Sequence, residues 1–586
     1  MRRLLLALLI LSISNTPAGA QEALTNNQRE TDLTQLASMY AKQYGPYEWK
    51  RDAIGFDLYR LTPWLQRVRH SDDLDFQEEL IDYVASLNDA HSFVAFPSNF
   101  FASLGFTVDI FDGKVLIDSV NRTQLPIAQF PFDIGDEVVA FDGQPVFSVI
   151  ASLRKYIVSA NQRSTDRGAA HFLATRFQQI MPHAPDLGDA AVVSIRLSSS
   201  GALNDHVIPW VKSGIGILSQ GPVPSPRRGN GRIFLSTDSE SSPDGLATGS
   251  TPSLFQLAAS APVDNTLPAY MDPIRPLLNA SAVKFHAIRG LGARSPIYAL
   301  PAEFVVRLGT QPAHFFFSGH FVADGVRIGL IRIPSMAPPN TALALQQLDQ
   351  EIAFFNANTD VLIVDVMRNL GGFVQFSESV SQRLFTAPFQ TVGFEIRATA
   401  NWVTAFASRI TNAQLSGAPP EIIQNLRNNF DEVLSAYNEE RGRSAPVSLN
   451  STGSLTLTPV AGAYSKPVMV LVDEFSASSA DMFAAIIQDN RRGPIFGMRT
   501  MGAGGSVVSN FDCTAFTESL CSITVSLMNR GTVVSTPDFP PAPYIENIGV
   551  RPDIVVDYMT RANLMTAGGP FVQAFTQAAV ALAPVP

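Results

Sequence analysis

Three serines stand where an apolar run gives way to a helical pattern. Ser476, Ser478 and Ser479 lie between the β-branched stretch 467–472 and the periodic stretch 482–487. A serine at a strand-to-helix turn sits at the positive end of the helix dipole, beside N–H groups that have no intrahelical acceptor. There it can act as a nucleophile, with those N–H groups holding an oxyanion. The same place is also where serine serves as a helix N-cap. Upstream, the buried-strand run 361–366 leads into Asn369-Leu370-Gly371-Gly372. Paired glycines let the backbone come close to a substrate carbonyl. A nucleophilic serine needs a base; the chain has 8 histidines, and its last lysine is Lys466, ahead of the serines.

These groups need elements to hold them. Residues 28–90 carry apolar side chains at three- and four-residue steps (Leu33, Leu36, Tyr40; Leu80, Tyr83, Val84, Leu87) and read as helical. A polar break, Asn88-Asp89-Ala90-His91, precedes Phe93-Val94-Ala95-Phe96. Residues 100–200 read as short strands, with hairpin turns at Asp112-Gly113 and Asp142-Gly143. The stretch 214–262, dense in Ser, Pro, Gly and Asp, cannot bury enough apolar surface to order itself and reads as an exposed insertion. From about residue 300 strands alternate with helices: 326–333, the helical stretch 342–355, 361–366, 467–472 and 482–487. This is the pattern of a layered α/β core.

Composition limits the function. The chain has 586 residues, 46% of them hydrophobic, enough for roughly two to four compact units. A net charge of −10 and the lack of a basic stripe argue against a nucleic-acid partner. Arg2 and Arg3, the apolar run 4–11 and Pro17-Ala18-Gly19-Ala20 describe a signal peptide over 1–20, too short to span a bilayer, so an exported protein with no stable membrane span is expected. Cys513 and Cys521 are the 2 cysteines, and in an oxidising compartment they could clip a hairpin loop. No zinc, calcium or phosphate-loop pattern is present, so neither metal nor cofactor is expected.

Two motifs resemble a PDZ domain. Ser103-Leu104-Gly105-Phe106 is similar to the loop that binds a peptide carboxylate, and Gly135-Asp136-Glu137-Val138-Val139 to the strand-turn-strand that follows it. The resemblance implies peptide binding at Leu104, Gly105 and Phe106, with the chain end added as a strand. The run Val470-Leu471-Val472-Asp473-Glu474-Phe475-Ser476-Ala477-Ser478-Ser479-Ala480-Asp481 resembles the signature of the C-terminal processing (tail-specific) serine peptidases. Asp365-Val366-Met367-Arg368-Asn369-Leu370-Gly371-Gly372 is similar to a second block of that family. Matched residue by residue, the resemblance makes Ser478 the nucleophile and implies an oxyanion hole from Gly371 or Gly372 with Ser479.

The chain departs from the commonest pattern of the family. Ala503, in Thr500-Met501-Gly502-Ala503-Gly504-Gly505, stands where most members carry a catalytic lysine. The stretch Leu87-Asn88-Asp89-Ala90-His91 instead resembles the Ser-His-Glu subset, similar to the chlamydial protease-like activity factor and the tricorn core protease. That resemblance implies His91 as base and Glu546, in Tyr544-Ile545-Glu546-Asn547-Ile548-Gly549, as the acid, with Glu518, Asp512 and Asp538 as competitors. The expected whole is an α/β multidomain chain. A signal peptide (1–20) is followed by a helical region carrying His91 (21–95), a PDZ-like β domain (96–205) and a flexible insertion (206–300). A crotonase/ClpP-like catalytic domain (301–586) completes it. The activity implied is an exported, periplasmic or secreted endopeptidase acting on proteins or peptides through an acyl-enzyme. Zymogen control by release of the 214–262 segment and a homodimer stay open. The rivals are a peptide-binding pseudoprotease and a lipid-carrying relative.

Overall fold

The computed structural model describes residues 23–217, 288–511 and 513–584. The expected signal peptide, most of the 214–262 stretch and the competing acid Asp512 lie outside them. Four helices open the described chain: α1 (Asn26–Gln43), α2 (Tyr47–Ile54), α3 (Thr62–Val68) and α4 (Asp73–Ala85). Thr25 and Gln28 form a capping box on α1, and the Asp72 side chain accepts the N–H groups of Leu74 and Asp75 at the start of α4. Both devices satisfy N–H groups that helix starts leave without acceptors. The apolar positions read from the periodicity (Leu33, Leu36, Tyr40, Leu80, Tyr83, Val84 and Leu87) are all buried. The polar break follows, with Asn88 in the left-handed region at φ 47°, and then β1 (Phe93–Ala95).

The middle unit is mostly β. It holds β2 (Phe101–Ser103), β3 (Phe106–Phe111), β4 (Lys114–Val120), β5 (Glu137–Phe141), β6 (Gln144–Pro145), β7 (Thr175–Phe177), β8 (Ala190–Arg196), β9 (Leu203–Pro209) and β10 (Val211–Ser213). Helices α5 (Val146–Leu153) and α6 (Gln162–His171) cross between β6 and β7. One sheet runs β3-β4-β5-β8-β9 with β6 beside β5; another runs β10-β2-β7. Both expected Asp-Gly turns form, with positive φ at Asp112, Gly113, Asp142 and Gly143, as two-residue hairpin loops require. The boundary expected at 205 falls inside β9, which pairs with β8 from Leu203↔Arg196 to Pro209↔Ala190. Asn204, Asp205 and His206 hid that strand in the sequence, because it is an exposed edge whose register is set by its neighbour rather than by an apolar face.

The C-terminal unit contains fourteen strands: β11 (Val305–Leu308), β12 (Phe317–Ala323), β13 (Val326–Arg332), β14 (Val361–Asp365), β15 (Phe389–Gln390), β16 (Gly393–Ile396), β17 (Thr456–Leu457), β18 (Val468–Val472), β19 (Ile495–Gly497), β20 (Val507–Phe511), β21 (Leu520–Thr524), β22 (Ser526–Val534), β23 (Ala542–Tyr544) and β24 (Ile554–Val555). Its main sheet runs β11-β12-β13-β14-β18-β19-β24 and is parallel from β13 onward. Helices α7 (Thr341–Asn358), α8 (Val374–Gln382), α9 (Ala400–Leu415), α10 (Pro420–Asn438), α11 (Ser479–Asp489), α12 (Arg561–Met565) and α13 (Gly569–Leu582) complete it. Every residue of β14 and β18 is buried, as strands covered on both faces require. The expected helix–strand alternation is therefore present. Since β14 and β18 are parallel neighbours, the segments leaving their carboxyl ends emerge side by side, where open α/β sheets place their ligands. β1 also reaches this unit, pairing antiparallel with β21.

Candidate active site

The strand β18 ends at Val472, and six residues later the chain enters α11 through Ser478. Ser478 has φ 57° and ψ −118°, outside the regions that L-residues favour. Such a conformation persists only where the surroundings hold it, and strained strand-to-helix turns of this kind present a nucleophilic serine. The three serines divide the work. Ser476 Oγ donates to the Val366 carbonyl at 2.8 Å, and Ser479 Oγ donates to the Gly372 carbonyl at 2.6 Å. The Ser478 hydroxyl faces α11 like a cap but makes no hydrogen bond, whereas the reciprocal half of the capping box is formed: Ser478 N–H donates to Asp481 Oδ2 at 2.7 Å. The Ser476 and Ser479 hydroxyls are thus engaged by the backbone, and the Ser478 hydroxyl is left without a partner. In this state Ser478 is buried, 2% exposed.

The glycine pair lies against this turn. Gly371 has φ 91°, and a β-carbon there would stand 2.6 Å from the Ala477 carbonyl oxygen and 2.7 Å from Ser479 N. Gly372, at φ 143°, is pressed equally hard against Met336, whose N–H donates to the Gly371 carbonyl at 2.8 Å. Gly371 N–H donates to Asn369 Oδ1 at 2.8 Å. Of the three residues expected to supply oxyanion donors, Gly371 therefore has its own N–H engaged and shapes the contact with Ser478.

The glycine loop 500–505 runs from the expected nucleophile to the expected acid. Asp481 accepts the N–H groups of Gly502 and Ala503 at 3.0 and 3.1 Å, in addition to that of Ser478. Burial pushes the Asp481 carboxyl up to about 6, against these hydrogen bonds. The next amide, Gly504 N–H, donates to Glu546 Oε2 at 2.8 Å. A β-carbon on Gly504 would come within 2.1 Å of Glu546 N, so the loop can pass this close only as glycine.

His91 is held by its own turn and by β21. Its N–H donates to Asp89 Oδ1 at 2.8 Å, and its carbonyl accepts the Ser522 hydroxyl. Ser522 faces Phe93 across the β1–β21 ladder, and Cys521, bonded to Cys513, faces Val94. Ala477 and Ala503 belong to one apolar cluster, and Ala90 packs against the same cluster. Glu546 is fully buried and pairs through Oε1 with Lys50 Nζ at 2.5 Å. Burial pushes its carboxyl up to about 7, with Lys50 opposing and Asp89 adding to the rise. Burial also raises the Asp89 carboxyl, but Lys50 and then His91 outweigh it and hold it below the ordinary value.

Three participants were missed in the sequence. Asp89 stood inside the quoted histidine motif, two residues before His91, without a role. Asp481 had capping-box spacing to Ser478. Lys50 gave no local signal. The competitor Asp538 is half exposed in a pair with Arg551 at 2.8 Å. At the expected peptide-binding loop, Leu104 and Phe106 are buried. Leu104 N–H donates to the Ala174 carbonyl at 3.0 Å and Gly105 N–H to Ser103 Oγ at 3.1 Å, so both amides are engaged.

Comparison with known proteins decides the family. Residues 327–556 match peptidase family S41, and residues 101–211 match a PDZ domain. The chain carries a peptidase family S41 domain. This S41 chain is a serine-type peptidase, and its middle unit is a PDZ domain. It is 26% identical over 601 residues to a Chlamydia trachomatis protein, covering 94% of this chain and 92% of the relative. A Chlamydia muridarum protein is 24% identical over 598 residues, covering 95% and 93%. The crystal structure of mature CPAF superposes with a TM-score of 0.71 at 22% identity, covering 95% of this chain and 98% of that one; at this identity the likeness shows a shared fold.

Proposed function

We propose that this S41 peptidase is an exported endopeptidase that cleaves protein or peptide substrates through an acyl-enzyme. Ser478 is the nucleophile, His91 the general base and Glu546 the acid that orients and charges the imidazole. The observation that carries the reading is the Ser478 turn: a strained serine with an unengaged hydroxyl, at a helix start, in contact with Gly371.

In the proposed sequence Ser478 Oγ attacks the scissile carbonyl carbon while His91 takes the hydroxyl proton. The carbonyl oxygen becomes an oxyanion held by the backbone N–H groups of Ser479 and Gly372. His91 then returns the proton to the leaving amine, and water, activated by the same imidazole, hydrolyses the acyl-Ser478 ester. Glu546 stabilises the imidazolium formed in each half.

Fluorophosphonate labelling with location of the adduct by mass spectrometry tests this. Labelling at Ser478 that disappears in His91→Ala supports the reading. Labelling at another serine, or equal labelling in the variant, rejects it. Export and release of the 214–262 segment are tested by intact mass of active and Ser478→Ala protein. A wild type that starts at Met1 and is unclipped, like the variant, rejects both.

A further inference from the structure

Lys50 joins the histidine turn to the loop of the proposed acid. It lies on α2, 496 residues before Glu546, and its side chain is fully buried. An ammonium has three N–H bonds, and each meets one acceptor. These are Glu546 Oε1 at 2.5 Å, Asn547 Oδ1 at 2.7 Å and the Asn88 carbonyl at 2.8 Å. Asn547 closes the ring by donating from Nδ2 to the same Asn88 carbonyl at 2.9 Å. Trp49, the neighbour of Lys50 on α2, donates to Asn547 Oδ1 at 3.1 Å.

The charges around this clamp are few and buried. Glu546 and Asp89 are two carboxylates out of contact with solvent, close enough that Asp89 raises the Glu546 carboxyl. Tyr44 OH donates to Asp89 Oδ2 at 2.8 Å and also faces Glu546, while Tyr40 and His91 face Asp89. Without a nearby cation, repulsion between two buried carboxylates favours protonation of one of them. With Lys50 the group carries one net negative charge, which an imidazolium at His91 would neutralise.

We propose that Lys50 is a positioning residue for catalysis, clamping the Glu546 carboxylate to the turn that carries His91 and supplying a counter-charge that favours its ionised form. The proposal rests on the Ser478–His91–Glu546 reading. It gives a lysine a role in the site, but not as base: its three protons are all engaged by the partners above.

The test is the pH profile of kcat/KM for the full chain, for Lys50→Met, for Glu546→Gln and for Lys50→Met/Glu546→Gln, with thermal unfolding of each. Removing the ammonium removes the influence that lowers the Glu546 carboxyl, so its protonation moves to higher pH. In Lys50→Met the acidic limb should move up by at least one pH unit. Activity at pH 7 should fall at least tenfold and recover in part at pH 9, with KM little changed. The double variant, with neither buried charge, should regain thermal stability but not activity. An unmoved limb, with activity lost only in proportion to folded protein, overturns the proposal. If Lys50→Met does not fold, Lys50→Arg replaces it: a lower kcat with an unmoved limb supports the clamp, and unchanged kcat overturns it. If Glu546→Gln keeps full activity, the acid assignment fails and the proposal with it. If Glu546→Gln is inactive and Lys50→Met is unshifted, the triad stands and the proposal alone falls.

Discussion

A β-carbon on Gly371 would stand 2.6 Å from Ser478 Cβ, so these two residues can touch only because one of them has no side chain. The contact sets the distance between the segments that follow β14 and β18, where the proposed mechanism places the substrate carbonyl. Gly371→Ala would push Ser478 and Ser479 N away, at a φ of 91° that alanine also resists. Steady-state assays should show kcat falling about 100-fold or more, the scale of a lost oxyanion contact, with KM changed far less.

Asp481 gives stability an unusual pH dependence. Its carboxyl rises from 3.8 to about 6 on folding, so the folded protein holds that proton more tightly. This contribution is fully present below about pH 4, declines as pH rises through about 6, and is absent above. It amounts to about 3 kcal/mol for a shift of this size. Asp481→Asn cannot titrate. The unfolding free energy of wild type relative to this variant should therefore fall by that amount between pH 4 and 7, as urea titrations at each pH would show. A constant difference rejects the account.

The Cys513–Cys521 bond should steady the strand that holds His91. It closes a short loop beside β21, whose Ser522 binds the His91 carbonyl. Cys513→Ser/Cys521→Ser should lower stability by about 2–3 kcal/mol, by chain entropy. Urea unfolding with and without reductant measures this, and reductant should have no effect on the double variant.

The PDZ domain is tied to the nucleophile segment by buried charge. Arg167 on α6 binds Asp109 of β3 at 2.6 Å and Glu474, four residues before Ser478, at 2.9 Å, with all three side chains 1% exposed. Arg167→Met leaves two buried carboxylates without their shared cation. The urea midpoint should drop, corresponding to about 3–5 kcal/mol, at neutral pH. A change under 1 kcal/mol would show that Arg163, which also pairs with Glu474, suffices.

Much of this architecture was legible locally. The helices of residues 28–90 announced themselves by apolar spacing, β14 and β18 by β-branched runs, and two hairpins by Asp-Gly pairs needing positive φ. The Ser478 turn and the Gly371-Gly372 pair follow directly from the strands they terminate, so their chemistry could be read from short windows. Strand β9 could not, because an exposed edge takes its register from the strand beside it.

The sequence by itself singled out candidates for chemistry: Ser478 by its place at a strand-to-helix turn, and His91 and Glu546 through resemblance to the Ser-His-Glu subset. Which serine has an unengaged hydroxyl, and what surrounds each carboxylate, only the tertiary structure decided. In Tyr47-Glu48-Trp49-Lys50-Arg51, Lys50 reads as one more charge on a surface helix. Burial alone turns it into a clamp, because a cation removed from water must find its acceptors within the protein, and those acceptors arrive from Asn88, 38 residues on, and from Glu546 and Asn547, 496 and 497 residues on.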